Sequence, residues 1–315
     1  MKFKKILTIG IDEAKLDPEY WKQLDQLTTK RVSLPKDSPD IKQHLADADC
    51  LLVSFTITVD QHMIEHAPNL RYIGVLATAF GKIDLVTAAQ KGIIVCNIPG
   101  YSTESVAEFI LASILEHIRQ LTVARERAHK GNYSEAGLLV TEIKGKVFGI
   151  LGLGAIGSRV AEIALGFGAD VRYWSRTRKK DLEQKGVIYE DMDHLIQTAD
   201  FLSVNLAQTK ETEGIFDEKR MQSIKSGAIV VNTAPMELVN IAALDKRLAQ
   251  GDITFIMDHA DQMKPNDLQP LLKHTNCIIY PPIAYISQEA RLAKQDIFLK
   301  NLQCFLTNTP INKVN

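Results

Sequence analysis

The sequence predicts an α/β protein of two domains built on doubly wound parallel sheets, and three observations carry the prediction. Apolar, β-branched runs alternate with helical patterns along the chain, and strands separated by helices pair in parallel with helices on both faces. One of those runs, 147–151, passes straight into Gly152-Leu153-Gly154-Ala155-Ile156-Gly157 and then into a helical pattern at 158–164. The chain's 315 residues, 45% hydrophobic and 24% charged, are enough for two domains with cores of their own.

Taken in order, strands are expected at 6–11, 50–54, 71–75 and 93–96, with helices near 18–26, 40–46 and 84–91. A long helix opens near Ser102-Thr103-Glu104. Ser102 or Thr103 can cap it, and Val106, Phe109, Ile110, Ile114 and Ile118 recur at helical spacing, so it is read as running to about Gly131 and bridging the domains. A second set starts at Gly145, with strands at 147–151, 171–174, 201–206, 228–232, 253–257 and 277–280. Helices fit between them at 155–165, 192–197, 217–224 and 242–250. Pro281-Pro282 breaks the chain before a closing helical pattern at 290–305.

Charge excludes some functions. With 37 basic and 38 acidic residues the net charge is −1, which argues for no nucleic-acid or membrane-surface partner. The cysteines Cys50, Cys96, Cys277 and Cys304 are scattered and read as small buried thiols of a reducing compartment. The apolar start stops at Asp12-Glu13, so it reads as a first strand rather than a signal segment, and no stretch has the length of a membrane helix. A cytoplasmic protein is expected. No histidine or cysteine spacing suggests a metal, and no G-x-S-x-G suggests a hydrolase.

The glycine-rich turn points to a dinucleotide. Gly152 permits the tight turn, Gly154 lets the backbone approach a pyrophosphate, and Gly157 lets the helix pack close to the strand. The first helical residues, Ala155 and Ile156, offer N–H groups at the positive end of a helix dipole. The next strand ends in Ser175-Arg176-Thr177-Arg178-Lys179-Lys180. An acidic residue there would hold the adenosine ribose of NAD. A hydroxyl and several cations stand there instead, donors that suit a 2′-phosphate, so NADP(H) is favoured over NAD(H). The plainer alternative is a solvated basic turn.

With these residues in place, the chain resembles the D-isomer-specific 2-hydroxyacid dehydrogenase family over nearly its whole length. The resemblance rests on the segment from Asn97-Ile98-Pro99-Gly100-Tyr101 to Glu108, the turn Gly152–Gly157, Leu206 with Glu211-Thr212, Val231-Asn232-Thr233-Ala234 with Glu237-Leu238-Val239, Asp258, and Pro281 with Ile283-Ala284. It implies a Rossmann coenzyme domain at 98–284 and a smaller flavodoxin-like domain made of 1–97 and 285–315, with the active site in the cleft between them. It also implies hydride transfer between a nicotinamide and C2 of a 2-hydroxy or 2-keto acid, in a homodimer. Thr103, Leu206, Thr212, Thr233, Ala234 and Asp258 would join the glycine turn and Ser175, Arg176 and Thr177 as coenzyme contacts. The N–H groups of Thr78 and Ala79 would meet the substrate carboxylate.

The family's three reactive residues do not carry over. Pro235 stands at the position of the arginine that grips the substrate, Pro282 at that of the histidine acid/base, and Met263 at that of the glutamate that supports the histidine. Asp261 lies close enough to reach the third place by a slip of the loop. Neither proline has a side-chain proton to give or take, and losing a positioned acid/base costs roughly 10²–10⁴-fold alone. Tyr101, Tyr280 and Tyr285 could donate a proton, but tyrosines near a hinge read more plainly as packing residues; two further substitutes are weighed. His259 adjoins Asp258, but strand alternation would turn it to the opposite face, which makes a surface histidine the plainer reading. Lys82, after the loop Ala77-Thr78-Ala79-Phe80-Gly81, could restore a positive charge or be a solvated lysine. No catalytic residue is assigned. The chain reads as an NADP(H)-preferring oxidoreductase with altered or very weak activity on 2-hydroxy and 2-keto acids. The alternative is a catalytically inactive NADP(H)-binding sensor or partner-binding protein.

Overall fold

A computed structural model describes residues 1–315 and divides into two compact units, Met1–Ser102 with Ser287–Asn315, and Thr103–Ile286. These passages lie a few residues beyond the expected 97/98 and 284/285. Residues at 98 and just after stay with the first unit because the Ile98 N–H donates to the Ala77 carbonyl at 2.9 Å, while the helix opening at Thr103 packs into the second.

The first unit holds five parallel strands, β1 (Ile6–Ile9), β2 (Arg31–Leu34), β3 (Cys50–Val53), β4 (Tyr72–Val75) and β5 (Ile94–Cys96). Their order is β2-β1-β3-β4-β5, the flavodoxin-like winding. All of β1, β3 and β4 is buried, as the continuous apolar runs of a sheet covered on both faces require. The closing helix Gln288–Leu306 buries Phe298, Leu299, Leu302 and Leu306, and Phe305 stacks on Phe3 at 5.6 Å. The sequence reading missed β2, an edge strand of four residues carrying Arg31 and Ser33, and the short helix Gln61–Glu65.

The second unit holds seven parallel strands, β6 (Val147–Leu151), β7 (Asp170–Trp174), β8 (Ile188–Tyr189), β9 (Phe201–Val204), β10 (Ile229–Asn232), β11 (Thr254–Met257) and β12 (Cys277–Ile279). The order β12-β11-β10-β9-β6-β7-β8 is a Rossmann sheet that reverses between β6 and β9, and a crevice opens beyond the carboxyl ends of strands at such a point. One helix expectation is corrected. The helix from Thr103 ends at Arg119, Gln120 takes a left-handed φ of 50°, and a separate helix Leu121–His129 follows. The apolar periodicity stops at Ile118, and the second helix buries none of its side chains, so nothing holds the two in one line. No helix is long and apolar enough to cross a membrane.

Candidate functional site

The turn after β6 explains its glycines separately. Gly152 has φ +93°, and a β-carbon on it would meet the Asn205 carbonyl oxygen at 2.7 Å, so both conformation and space demand glycine. A β-carbon on Gly157 would lie 2.1 Å from the Gly152 carbonyl oxygen; this is where the helix Ala155–Gly166 presses against the strand. Gly154 is different, because a β-carbon there meets nothing within 4 Å. No packing reason keeps residue 154 small, and the bare backbone there is open to close approach by a ligand. The helix has no side-chain cap, so its leading N–H groups and dipole face that approach.

A cleft of about 300 Å³ lies beside this turn, lined among others by Gly152, Gly154, Ser175, Arg176, Thr177 and Lys179. Leu206 and Thr212 close the opposite wall. Thr212 is held by its own loop: its hydroxyl donates to the Ala207 carbonyl at 2.7 Å and accepts from the Thr209 N–H at 2.8 Å. Asn205, which sequence reasoning did not single out, also lines the cleft. Its amide donates to Ser203 at 2.9 Å, while its buried Oδ1 has no partner in the chain.

The basic turn after β7 divides into used and available cations. Arg178 is spent on structure: it holds Glu183 through two hydrogen bonds of 2.9 and 2.7 Å and lies over the Tyr189 ring. The Arg178 guanidinium and the Tyr173 hydroxyl hold the Glu183 carboxyl down at about 2. Arg176 is exposed at the cleft. It acts at a distance on Glu211, whose carboxyl is held low first by the Thr209 hydroxyl and more weakly by Arg176. Ser175 donates to the Thr177 carbonyl at 2.5 Å and shapes the bend.

At the far side of the sheet, Asn232, Met257 and Ile279 stand in register across β10, β11 and β12. The segments 233–236, 258–263 and 280–284 therefore leave one edge side by side. The buried Asn232 amide donates to the Ala234 carbonyl at 3.0 Å and to the Met236 sulfur at 3.2 Å. It thereby fixes the bend that carries Thr233, Ala234 and Pro235. Asp258 is fully buried. Its Oδ2 accepts from the Ala284 N–H at 3.0 Å, and the Ala284 carbonyl accepts from the buried Ser105 hydroxyl at 2.8 Å. Its Oδ1 has no hydrogen-bond partner. Burial pushes the Asp258 carboxyl above the usual range, against the pull of His259 and the Ala284 N–H.

His259 corrects an expectation. The strand ends at Met257, His259 (φ −110°, ψ 29°) begins a tight helical turn, and strand alternation no longer applies. Its Nε2 lies 3.6 Å from Asp258 Oδ1 rather than on the opposite face, and its Nδ1 is 3.4 Å from the Gln262 amide. Met263 and Pro282 are half-buried, and Met263 packs on the core. Asp261 is exposed in the turn, and its charge helps to lift Asp258.

In the other unit, the Thr78 hydroxyl donates to the Ile98 carbonyl and the Asn97 amide donates to the Thr78 carbonyl, both at 2.7 Å. Thr78 and Ala79 are exposed, and neither N–H finds an acceptor in the chain. Lys82 is exposed and makes no ion pair. Thr103 is the first residue of its helix.

These features fit a nicotinamide dinucleotide. The open approach at Gly154 suits the pyrophosphate, and the unpartnered Asp258 Oδ1 suits the N–H of a carboxamide. Comparisons with known proteins agree. Residues 111–284 match the model of the D-isomer specific 2-hydroxyacid dehydrogenase, NAD binding domain. A glyoxylate reductase of Aeropyrum pernix is 35% identical over 279 residues, covering 85% of this chain and 83% of that protein. The structure of D-lactate dehydrogenase from Aquifex aeolicus, complexed with NAD and lactic acid, is 27% identical with a TM-score of 0.84 over 96% of each chain. An acyclic imino acid reductase in complex with NADPH and D-Arg is 26% identical with a TM-score of 0.84, covering 99% of this chain and 100% of that one.

Proposed function

This chain belongs to the D-isomer-specific 2-hydroxyacid dehydrogenase family, and from that premise we propose that it is an oxidoreductase using NADP(H) in preference to NAD(H). One observation carries the preference: the turn after β7 presents Arg176 and Lys179 to the cleft, with Arg178 held back by Glu183, and no carboxylate stands where a ribose 2′-hydroxyl would need one. The relative solved with NADPH supports the reading.

When bound, the coenzyme supplies or takes up a hydride. The chain's own residues do the rest. The N–H groups of Ala155 and Ile156 and the bare backbone of Gly154 hold the pyrophosphate. Ser175, Arg176 and Thr177 hold the ribose phosphate, and Asp258 Oδ1 orients the carboxamide. Leu206, Thr212, Thr233 and Ala234 wall the coenzyme, with Thr103 at the helix start, and the N–H groups of Thr78 and Ala79 bind a substrate carboxylate. Pro235, Met263 and Pro282 can neither grip an anion nor pass a proton, so reduction of glyoxylate or other simple 2-keto acids by this route is very slow.

The same three residues motivate the second reading, a coenzyme-binding sensor without turnover. Fluorescence titration with NADPH and NADH tests the first claim: NADPH should bind at least about tenfold more tightly, a difference of about 1.4 kcal/mol. Equal affinities would sink the preference. Tight binding with no turnover on any oxidised or reduced partner would favour the sensor. A cytoplasmic homodimer goes with either reading, and sedimentation of the purified chain tests the dimer.

A further inference from the structure

We propose that the group reduced at this site is a protonated C=N, an iminium, rather than a ketone or an aldehyde. The proposal deepens the coenzyme reading and rests on it. Hydride addition to a carbonyl puts negative charge on oxygen, which must be met by a positioned acid or cation. Pro235, Met263 and Pro282, on segments that leave one edge of the sheet together, supply neither. An iminium asks for neither, because its proton is already on nitrogen. Its carbon takes the hydride from the reduced nicotinamide, the C=N π pair moves onto nitrogen, and the positive charge there is cancelled. The products are a neutral amine and the oxidised coenzyme, with no proton delivered.

Charge at the same edge points the same way. The segments after β10 and β11 carry Glu237, Asp258 and Asp261, and the helix that follows, Pro265–Leu272, carries Asp267, against Lys264. Such a field draws a cation and repels a 2-keto acid anion. Asp258 is fully buried and its Oδ1 accepts no hydrogen bond, with only the His259 ring 3.6 Å away, so one of these acids is built into the fold rather than confined to solvated side chains. Along the same segments, a pocket of about 450 Å³ is lined by Met236, Val239, Ile241 and Met263 together with Glu237, Asp267, Gln262 and a single cation, Lys264. It can receive an alkyl chain next to a positive centre.

The experiment uses the purified full chain. NADPH binding is measured first by fluorescence. NADPH consumption is then followed with glyoxylate alone, glyoxylate plus methylamine, and the cyclic imino acid piperideine-2-carboxylate. Calorimetry on the NADPH complex compares acetamidinium, a planar cation that cannot be reduced, with the anion oxamate. The imine mixtures should react at least ~100-fold faster than glyoxylate alone, the gain expected when an acid step is no longer needed. The alkaline limb of the rate should move with the basicity of the imine, and acetamidinium should bind where oxamate does not. Reduction of glyoxylate alone at a comparable rate overturns the proposal, most directly if His259→Gln abolishes it, since that assigns the proton to the protein. Tight NADPH binding with no imine reduced and no acetamidinium bound also overturns it. Absence of coenzyme binding overturns the underlying reading instead.

Discussion

The carbonyl oxygen of Gly152 lies 2.1 Å from the point a β-carbon on residue 157 would occupy. That distance is far inside contact and both partners are backbone, so neither can swing aside. Gly157→Ala must therefore separate the helix Ala155–Gly166 from β6, and a loss of about 3 kcal/mol is expected, at the upper end of overpacking costs. Gly154→Ala places its methyl in open space. It should leave the melting temperature unchanged and weaken NADPH binding about tenfold or more, because it intrudes on the pyrophosphate approach. Thermal melts and fluorescence titration of the two variants check the contrast. If Gly154→Ala binds NADPH normally, the open space serves some other purpose.

Arg176 and Arg178 are two residues apart and are expected to behave differently. Arg178 is paired with Glu183 and lies over Tyr189, so Arg178→Ala should cost stability and weaken NADPH and NADH alike. Arg176→Ala should spare stability and weaken NADPH selectively by about 10- to 100-fold, the worth of a charge-assisted hydrogen bond of ~1.5–3 kcal/mol. The readout is the ratio of the two coenzyme affinities in each variant. A ratio unchanged in Arg176→Ala would leave the basic turn as a solvated feature.

How much of this was legible in the chain depends on local signal. β6 falls at 147–151 as read, because four apolar side chains around Gly149 run up to Gly152, whose left-handed φ marks the turn. β8 has two exposed residues, Ile188 and Tyr189, and too little length to show a period. The helix Pro265–Leu272 carries Pro270 inside it and was not read as a helix. Gln120 interrupts a helix without a glycine or proline to announce it. The orientation of His259 was missed because the strand stops one residue before Asp258, a boundary that sequence patterns locate only within a few residues. The unpartnered oxygens of Asn205 and Asp258 arise from tertiary packing and leave no mark in the sequence.

Asp258 gives a pH prediction with a definite sign. Burial raises its carboxyl above the ordinary value of 3.8, so the folded protein binds that proton more tightly than the unfolded chain. Its contribution to stability is therefore best at low pH and declines as pH rises from the unfolded value through the folded one. At neutral pH the buried charge is a cost, and Asp258→Asn should raise the melting temperature of the coenzyme-free protein. The amide oxygen can still accept from the Ala284 N–H, but an NH2 replaces the acceptor at Oδ1. NADPH affinity should then fall about tenfold, the loss of one hydrogen bond to a charged group. A variant that is less stable at neutral pH, or that binds NADPH as well as the parent, contradicts this account.

The last prediction concerns restoring a proton route. Pro235, Met263 and Pro282 lie on the segments that follow three neighbouring strands in register, at the places where the family resemblance puts a reactive trio. Pro282→His alone should do little, since an apolar Met263 supplies no carboxylate to support an imidazole. Met263→Glu alone should destabilise, because it places a carboxylate against the core on which Met263 packs. The triple variant Pro235→Arg, Met263→Glu, Pro282→His supplies a cation for the anion and a supported acid together. It should gain glyoxylate reduction by about 10²–10⁴-fold over the parent, with the gain appearing only in the triple. A triple variant that melts like the parent and binds NADPH, yet reduces glyoxylate no faster, would show that the acidic edge and not the missing trio is what excludes 2-keto acids.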